Sequence, residues 1–220
     1  MKHPLFALAA LTLASCLATT RAHAGEVYTG IGTHGVMLGY AHALSPDFAV
    51  RGDFATLGSR ERNERDEGVD YEGKLTYNRA GVFGDWFPFS SGFRFTGGIT
   101  FNNMKLDLVA KGNGTPMTIG NRTFVSASDD RLNVKVEFPK TTPYLGLGYG
   151  HQPSSGWGFV FDLGASIGKA RVTETHSGTN LGNSAVVSQA DIDAELAELR
   201  DGVGKVKAIP MLAIGFNYRF

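Results

Sequence analysis

The chain has 220 residues, 42% hydrophobic and 19% charged, with 29 glycines, one cysteine and a formal net charge of zero. Zero net charge argues against nucleic-acid binding, and 11% aromatic residues argue against intrinsic disorder. No internal run of about 18 apolar residues marks a bundle of membrane-spanning helices, and the length suits one or two ordinary domains.

Lys2 followed by the apolar stretch Leu5 to Ala18 reads as an export signal, with Ala22-His23-Ala24 as its small-x-small cleavage site. Residues 1–24 are therefore expected to be a cleaved signal peptide and residues 25–220 a single domain. Cleavage there removes Lys2, Arg21 and Cys16, leaving 19 basic and 21 acidic residues. Leu13-Ala14-Ser15-Cys16 offers a second reading, because it resembles the lipobox at which bacterial lipoproteins are acylated. Apolar residues continue past it through Leu17-Ala18, which speaks for the first.

From residue 25 onward the periodicity is two. Residues 26 to 44 read as two strands only if they split near Thr33-His34-Gly35, and the tight turn Ser45-Pro46-Asp47 follows. In the next strand Phe48, Val50, Gly52 and Phe54 oppose Ala49, Arg51 and Asp53. A polar stretch, roughly 59 to 70, reads as a loop. Tyr71, Leu75 and Tyr77 then oppose Glu72, Lys74, Thr76 and Asn78, while Arg79 and Asp85 break this alternation and suggest a bulge or a rim position. The turn 87–92 leads to Phe93, Phe95, Gly97, Ile99 and Phe101, which oppose Arg94, Thr96, Gly98, Thr100 and Asn102. A second polar stretch spans about 109 to 131. Gly146, Gly148 and Gly150 alternate on one strand and read as clearance for a close neighbour, not as a phosphate loop. After a turn at 152–156, Trp157 to Ile167 alternates again. A third long polar stretch, about 173 to 204, holds one expected helix, Val187 to Gly202. Ser188 is its cap, Asp191 lies three residues on, Val187 and Ile192 form a staple, and Ile192, Leu196, Leu199 and Val203 make an apolar stripe. Leu212, Ile214, Phe216, Tyr218 and Phe220 close the chain on one face of a last strand.

Alternation alone fits a soluble sandwich as well. Three features favour a membrane barrel instead. The second face is Gly, Ala, Thr, Asn and isolated charges, which suits a narrow interior. Short turns alternate with long polar stretches, and aromatic residues crowd the short-turn ends. A sheet in lipid must have no free edge, and strands of about 9 to 11 residues in a chain of this length fit eight. The expected fold is all-β, an eight-stranded antiparallel transmembrane β-barrel with a short helix in the last external loop. Trp86, Phe87, Phe89, Phe93, Trp157, Tyr218 and Phe220 are the expected interface aromatics. Arg51, Asp53, Glu72, Lys74, Arg94, Asp162 and Arg219 are expected in the lumen, as an ion-pair plug or as a narrow polar conduit.

Val27-Tyr28-Thr29-Gly30-Ile31-Gly32-Thr33, Asp85-Trp86-Phe87-Pro88-Phe89, the Pro143 to Gly150 segment and Phe216-Asn217-Tyr218-Arg219-Phe220 together resemble small proteobacterial outer-membrane barrels, OmpA/OmpW-like or opacity-type. The resemblance covers nearly all of the mature chain. It implies the bacterial outer membrane, lipid as surroundings, and delivery by the barrel-assembly machinery, which would read Phe216, Tyr218 and Phe220 of the C-terminal strand. It leaves activity open. A structural or surface-interaction role with a plugged or very narrow lumen is expected, in a monomer without cofactor, nucleic-acid partner or metal, whose surface ligand is unknown. The alternatives are a passive channel for small or hydrophobic solutes and a lipid A-modifying hydrolase. For the last, His151 with Ser154 and His176 with Ser177 lack an orienting acid and an oxyanion element, so no catalytic residue is assigned. His34 and His42 read as rim or lumen residues.

Overall fold

Side chains that alternate between apolar and small or polar dictate an extended ribbon with two unlike faces, and such a ribbon in lipid has to pair both of its edges. The computed structural model describes residues 25–66, 69–89, 91–151, 155–202 and 207–220; the expected signal segment lies outside them. In chain order the strands are β1 (Gly25–Gly32), β2 (Gly35–Ser45), β3 (Phe48–Asp66), β4 (Val69–Trp86), β5 (Phe93–Lys111), β6 (Pro116–Ile119), β7 (Arg122–Val125), β8 (Arg131–Glu137), β9 (Thr141–Tyr149), β10 (Gly156–Ile167), β11 (Arg171–Ser177) and β12 (Ala208–Arg219), with helix α1 (Gln189–Gly202) between the last two strands.

Eight of these strands close a ring in the order β1-β2-β3-β4-β5-β9-β10-β12, and β12 pairs back onto β1 through Val27↔Tyr218 and Thr29↔Phe216. Every pairing is antiparallel. The expected split of residues 26–44 occurs at the two-residue turn Thr33-His34, closed by Gly32 opposite Gly35. Gly35 has φ +90°, a conformation that a side chain makes costly.

The strands are unequal in height. β3, β4 and β5 run 19, 18 and 19 residues, about twice what a bilayer crossing requires. Their outer halves continue as a sheet beyond the ring, extended by β8 on β5 and β11 on β8. The stretch 59–70, expected as a loop, is paired hairpin out to Asp66↔Val69. By contrast β1, β2 and β12 stop at the rim. One side of the mouth is a tall wall and the other is low.

Facing polarity inverts along the tall strands. On β5 the outward residues Phe93, Phe95, Ile99 and Phe101 give way to Asn103, Lys105 and Asp107, while inward Arg94, Thr96, Thr100 and Asn102 give way to Met104, Leu106 and Leu108. On the ring, exposed outward residues such as Ile31, Leu38, Val82, Leu145 and Phe159 form a continuous apolar band. Above it the outer face carries ion pairs, Lys74–Glu61 at 2.7 Å and Lys135–Glu137 at 3.0 Å among them. The inner face of β4, β5 and β8 there is apolar and needs cover, while β3 brings Arg60 and Arg62 to its edge.

Part of that cover is α1. Ile192 and Leu196 of α1 pack with Met117 and Ile119 of the β6–β7 hairpin over Leu132, Val134 and Val172 of the wall. The helix begins as its sequence predicts. Ser188 Oγ donates to Asp191 Oδ2 at 2.6 Å and accepts from the Asp191 N–H at 3.3 Å, and Val187 and Ile192 are buried in the same cluster. The side chain of Leu199 and the whole of Val203 lie outside what is described. Glu195 accepts the Gly120 N–H at 2.9 Å, tying the helix to the β6–β7 hairpin. Asp130, fully buried, accepts the N–H groups of Ala127, Asn180 and Leu181 at 2.7, 2.8 and 3.1 Å and fastens the two external loops together.

Candidate functional site

A charged side chain turned toward the middle of the bilayer costs about 2–4 kcal/mol for Arg or Lys, so the alternation that turns aliphatic residues outward collects charge inside. Inside this ring, charges pair. Arg51 on β3 reaches Asp85 on β4 at 2.8 Å, Asp162 on β10 at 3.0 Å and Asp53 at 3.7 Å. Arg94 on β5 meets the same Asp162 at 2.6 Å and Asp85 at 3.3 Å, and Arg79 on β4 meets Asp53 at 2.5 Å. Three arginines and three aspartates balance, every one of them buried. Thr96 donates to Asp85 at 2.6 Å and Tyr28 to Asp53 at 3.3 Å. The Phe83 ring centroid lies 4.6 Å from the Arg51 guanidinium carbon and 5.4 Å from that of Arg79, two cation–π contacts on one ring.

Glycines make room for these groups. A Cβ on Gly148 would stand 2.5 Å from an Arg94 nitrogen, so this β9 glycine is a socket for the guanidinium. Toward the external end Thr100, Thr142, Ser166 and Asn102 form a hydroxyl–amide cluster with contacts of 2.7–3.0 Å, beside an apolar layer of Tyr77, Phe83, Met104, Phe138, Tyr144 and Met211. Toward the short-turn end Glu26 shares a hydrogen bond with His151, whose ring stands edge-on to Tyr28 at 4.6 Å, and Arg219 lies directly across from Glu26 on β12. Between the layers lies a cavity of about 10 Å³ lined by residues including His34, Arg79 and Asp162. That is room for a single water.

The structure thus gathers Arg51, Asp53, Arg94 and Asp162 into one network and places Arg219 inside the ring's short-turn end. It does not place Glu72 and Lys74 there. Both stand on the outer face of the wall above the membrane, Glu72 bonded to Lys111 and Lys74 to Glu61. The reason is the polarity inversion. Tyr71, Leu75 and Tyr77 are the inward residues of β4, and Arg79 and Asp85 continue their face without a bulge, since β4 pairs with β5 in unbroken register. Arg79, Asp85 and Glu26 are the lumen members absent from the sequence-based set. The odd spacing 79, 81, 83, 85 is the signal that marks the first two; Glu26, at the edge of its strand, carries none.

Trp86, Phe89, Trp157, Tyr218 and Phe220 are exposed on the short-turn rim, with Phe93 half-buried against Phe89 and Phe95 at 5.9 and 5.1 Å. Trp157 stacks on Tyr218 at 5.2 Å. Phe87 departs from the expected girdle: only 3% exposed, it follows outward Trp86 and so turns into the ring, its N–H bonded to the Asp47 carbonyl. Phe216, Tyr218 and Phe220 line the lipid side of the closing strand.

Of the two serine–histidine pairs, only His176 with Ser177 lies wholly within the described residues. His151 is buried and engaged by Glu26, and Ser154 lies outside the described residues. His176 and Ser177 are neighbours on β11, hence on opposite faces, and His176 contacts Glu174 at 3.1 Å. His34 is buried at the mouth with its Nε2 3.4 Å from Met37 sulfur.

No protein-family model and no curated protein matches the chain. Solved structures do. CarO2 of Acinetobacter baumannii superposes with a TM-score of 0.61 at 16% identity, covering 91% of this chain and 100% of that one. CarO of the same species gives 0.56 at 17% identity, over 90% and 98%. A major outer membrane protein from Thermus thermophilus gives 0.43 at 14%, over 91% and 100%. At these identities the likeness is one of fold. The two CarO structures carry that likeness, and with the apolar band and the edge-free ring the chain is an eight-stranded membrane-spanning β-barrel.

Proposed function

We propose that this protein is a sealed barrel, a non-conducting membrane anchor that holds a folded platform above the outer surface. The observation that carries this reading is the filled lumen: three buried arginines, three buried aspartates and the aromatic–methionine layer surround a cavity of about 10 Å³. An eight-stranded ring has just enough width for side chains to fill it. A passive solute channel would need a continuous wet path, and the layer containing Phe83, Tyr144 and Met211 lies across it. The platform is the wall with its α1 cover. Beyond the cover the wall keeps a groove of about 310 Å³, an apolar shelf of Tyr71, Leu75, Leu106 and Leu108 bordered by Arg60, Glu61 and Arg62, which supports a surface-interaction role. The test is conductance of the detergent-folded protein in planar bilayers. No discrete openings are expected, and stable single-channel steps would overturn the sealed reading in favour of the channel.

A further inference from the structure

Two neighbouring barrel strands break at one level. β8 gives way to β9 at residues 138–140, and β10 gives way to β11 at residues 168–170. The level is fixed by the pairing. Lys140 accepts the Asn102 N–H on its carbonyl, one residue past Phe101, the last lipid-facing residue of β5. Lys169 lies two residues past Ile167, the last lipid-facing residue of β10. Both lysines therefore stand where the apolar band ends, at the depth of the external lipid headgroups.

The breaks open two adjoining surface clefts of about 430 and 280 Å³. Lys169 and Arg171 line both; Arg200, in the last turn of α1, lines the larger, and Lys140 lines the smaller. All four are exposed and none makes a salt bridge among the described residues. The one carboxylate lining either cleft is Glu137, which stands across from Arg171 in the β8–β11 pairing and is held by Lys135 at 3.0 Å and Lys105 at 3.8 Å; Lys135 first, then Lys105 and Lys140, keep its carboxyl below the usual range. Elsewhere on the outer face of the wall cations alternate with acids, as in Lys74 with Glu61 and Lys111 with Glu72. Here four cations line the clefts against that single acid. A patch with such an excess of cations at headgroup depth attracts anionic headgroups.

We propose that this double cleft binds the phosphate groups of the phosphorylated glycolipid that forms the outer leaflet, with Lys140, Lys169 and Arg171 as the phosphate contacts and Ile167 and Phe101 against the acyl chains. The inference rests on the barrel's place in the membrane and is independent of whether the lumen is sealed.

The test titrates the folded mature protein in detergent with bis-phosphorylated lipid A and follows adducts by native mass spectrometry. The parent is expected to hold the lipid. The Lys140→Gln/Lys169→Gln/Arg171→Gln variant should bind about 100-fold more weakly, at roughly fivefold per charge. Lys140→Arg/Lys169→Arg/Arg171→Lys should bind like the parent, as should Lys74→Gln, a surface lysine on the same face but away from the clefts. Binding by the neutral triple within about threefold of the parent would overturn the proposal. So would equally tight binding of enzymatically dephosphorylated lipid A, or displacement of the lipid by millimolar inorganic phosphate, which would make this a site for the free ion. Heat-modifiable gel mobility reports whether the neutral triple is folded, and the dephosphorylation arm decides the matter on the unmodified protein if it is not.

Discussion

Arg51 shows what a buried charge costs and what it holds. Its guanidinium faces three carboxylates, so removing it leaves Asp85 and Asp162 buried with only Arg94 between them. Arg51→Ala is expected to destabilise the barrel by about 3–5 kcal/mol, the loss typical when one partner of a buried pair is deleted, read from urea unfolding in detergent. A shift below about 1 kcal/mol would mean that water enters and solvates the orphaned acids, and the lumen would then be wetter than its packing indicates. The network is legible in part from residue spacing. Arg51 with Asp53, Arg94 and Asp162 stand opposite rows of Phe, Val and Leu, and charge opposite grease on a lipid-bound strand has one place to go. Arg79 and Asp85 look like errors against the alternation of residues 71–78 because those residues stand outside the membrane, where the facing rule is reversed.

That same strand explains what is legible at the scale of elements. Alternation in 93–102 and 157–167, and at the end of the chain, reveals strands and facing together, because those segments lie wholly within the apolar band. Polar composition at 59–70 suggests a loop; its run of charged residues instead forms a hairpin arm, where an open edge studded with charge resists pairing with another chain. The helix is readable from its cap. Ser188→Ala removes two hydrogen bonds at the start of α1 and is expected to weaken the helix by about 1 kcal/mol, seen as faster amide exchange in residues 189–196 with the barrel amides unchanged. Exchange that stayed slow would mean that burial of Ile192 and Leu196 alone sets the helix. The Ser188 hydroxyl and N–H hold the Asp191 carboxyl below its ordinary range. A depressed folded value favours the helix fully above the ordinary pKa of about 3.9 and is lost as pH falls through the depressed one. The start of α1 should therefore loosen only in acid, below about pH 4, and Asp191→Asn should flatten that dependence.

As a whole molecule the barrel is asymmetric about the bilayer. Both tryptophans, Trp86 and Trp157, sit on the short-turn rim, with Trp157 80% exposed. Their fluorescence in proteoliposomes should be quenched more by lipids brominated near the headgroup than by lipids brominated near the chain ends. The reverse order would place the aromatic girdle at the wrong depth and the rest of the topology with it. We also propose that the barrel-assembly machinery reads Phe216, Tyr218 and Phe220, as the family resemblance implies; these residues face lipid on the strand that closes the ring.

The change of polarity partway up β4 and β5 has a consequence for assembly. A side chain's facing flips with every residue, so a slip of one position in these strands would turn Arg94 toward acyl chains and, in the same stroke, swing buried Met104 and half-buried Leu106 out into water. Two solvents would reject the same mistake. The lower half of each long strand thus proofreads the upper half, and lengthening the wall sharpens registration of the membrane part that carries it.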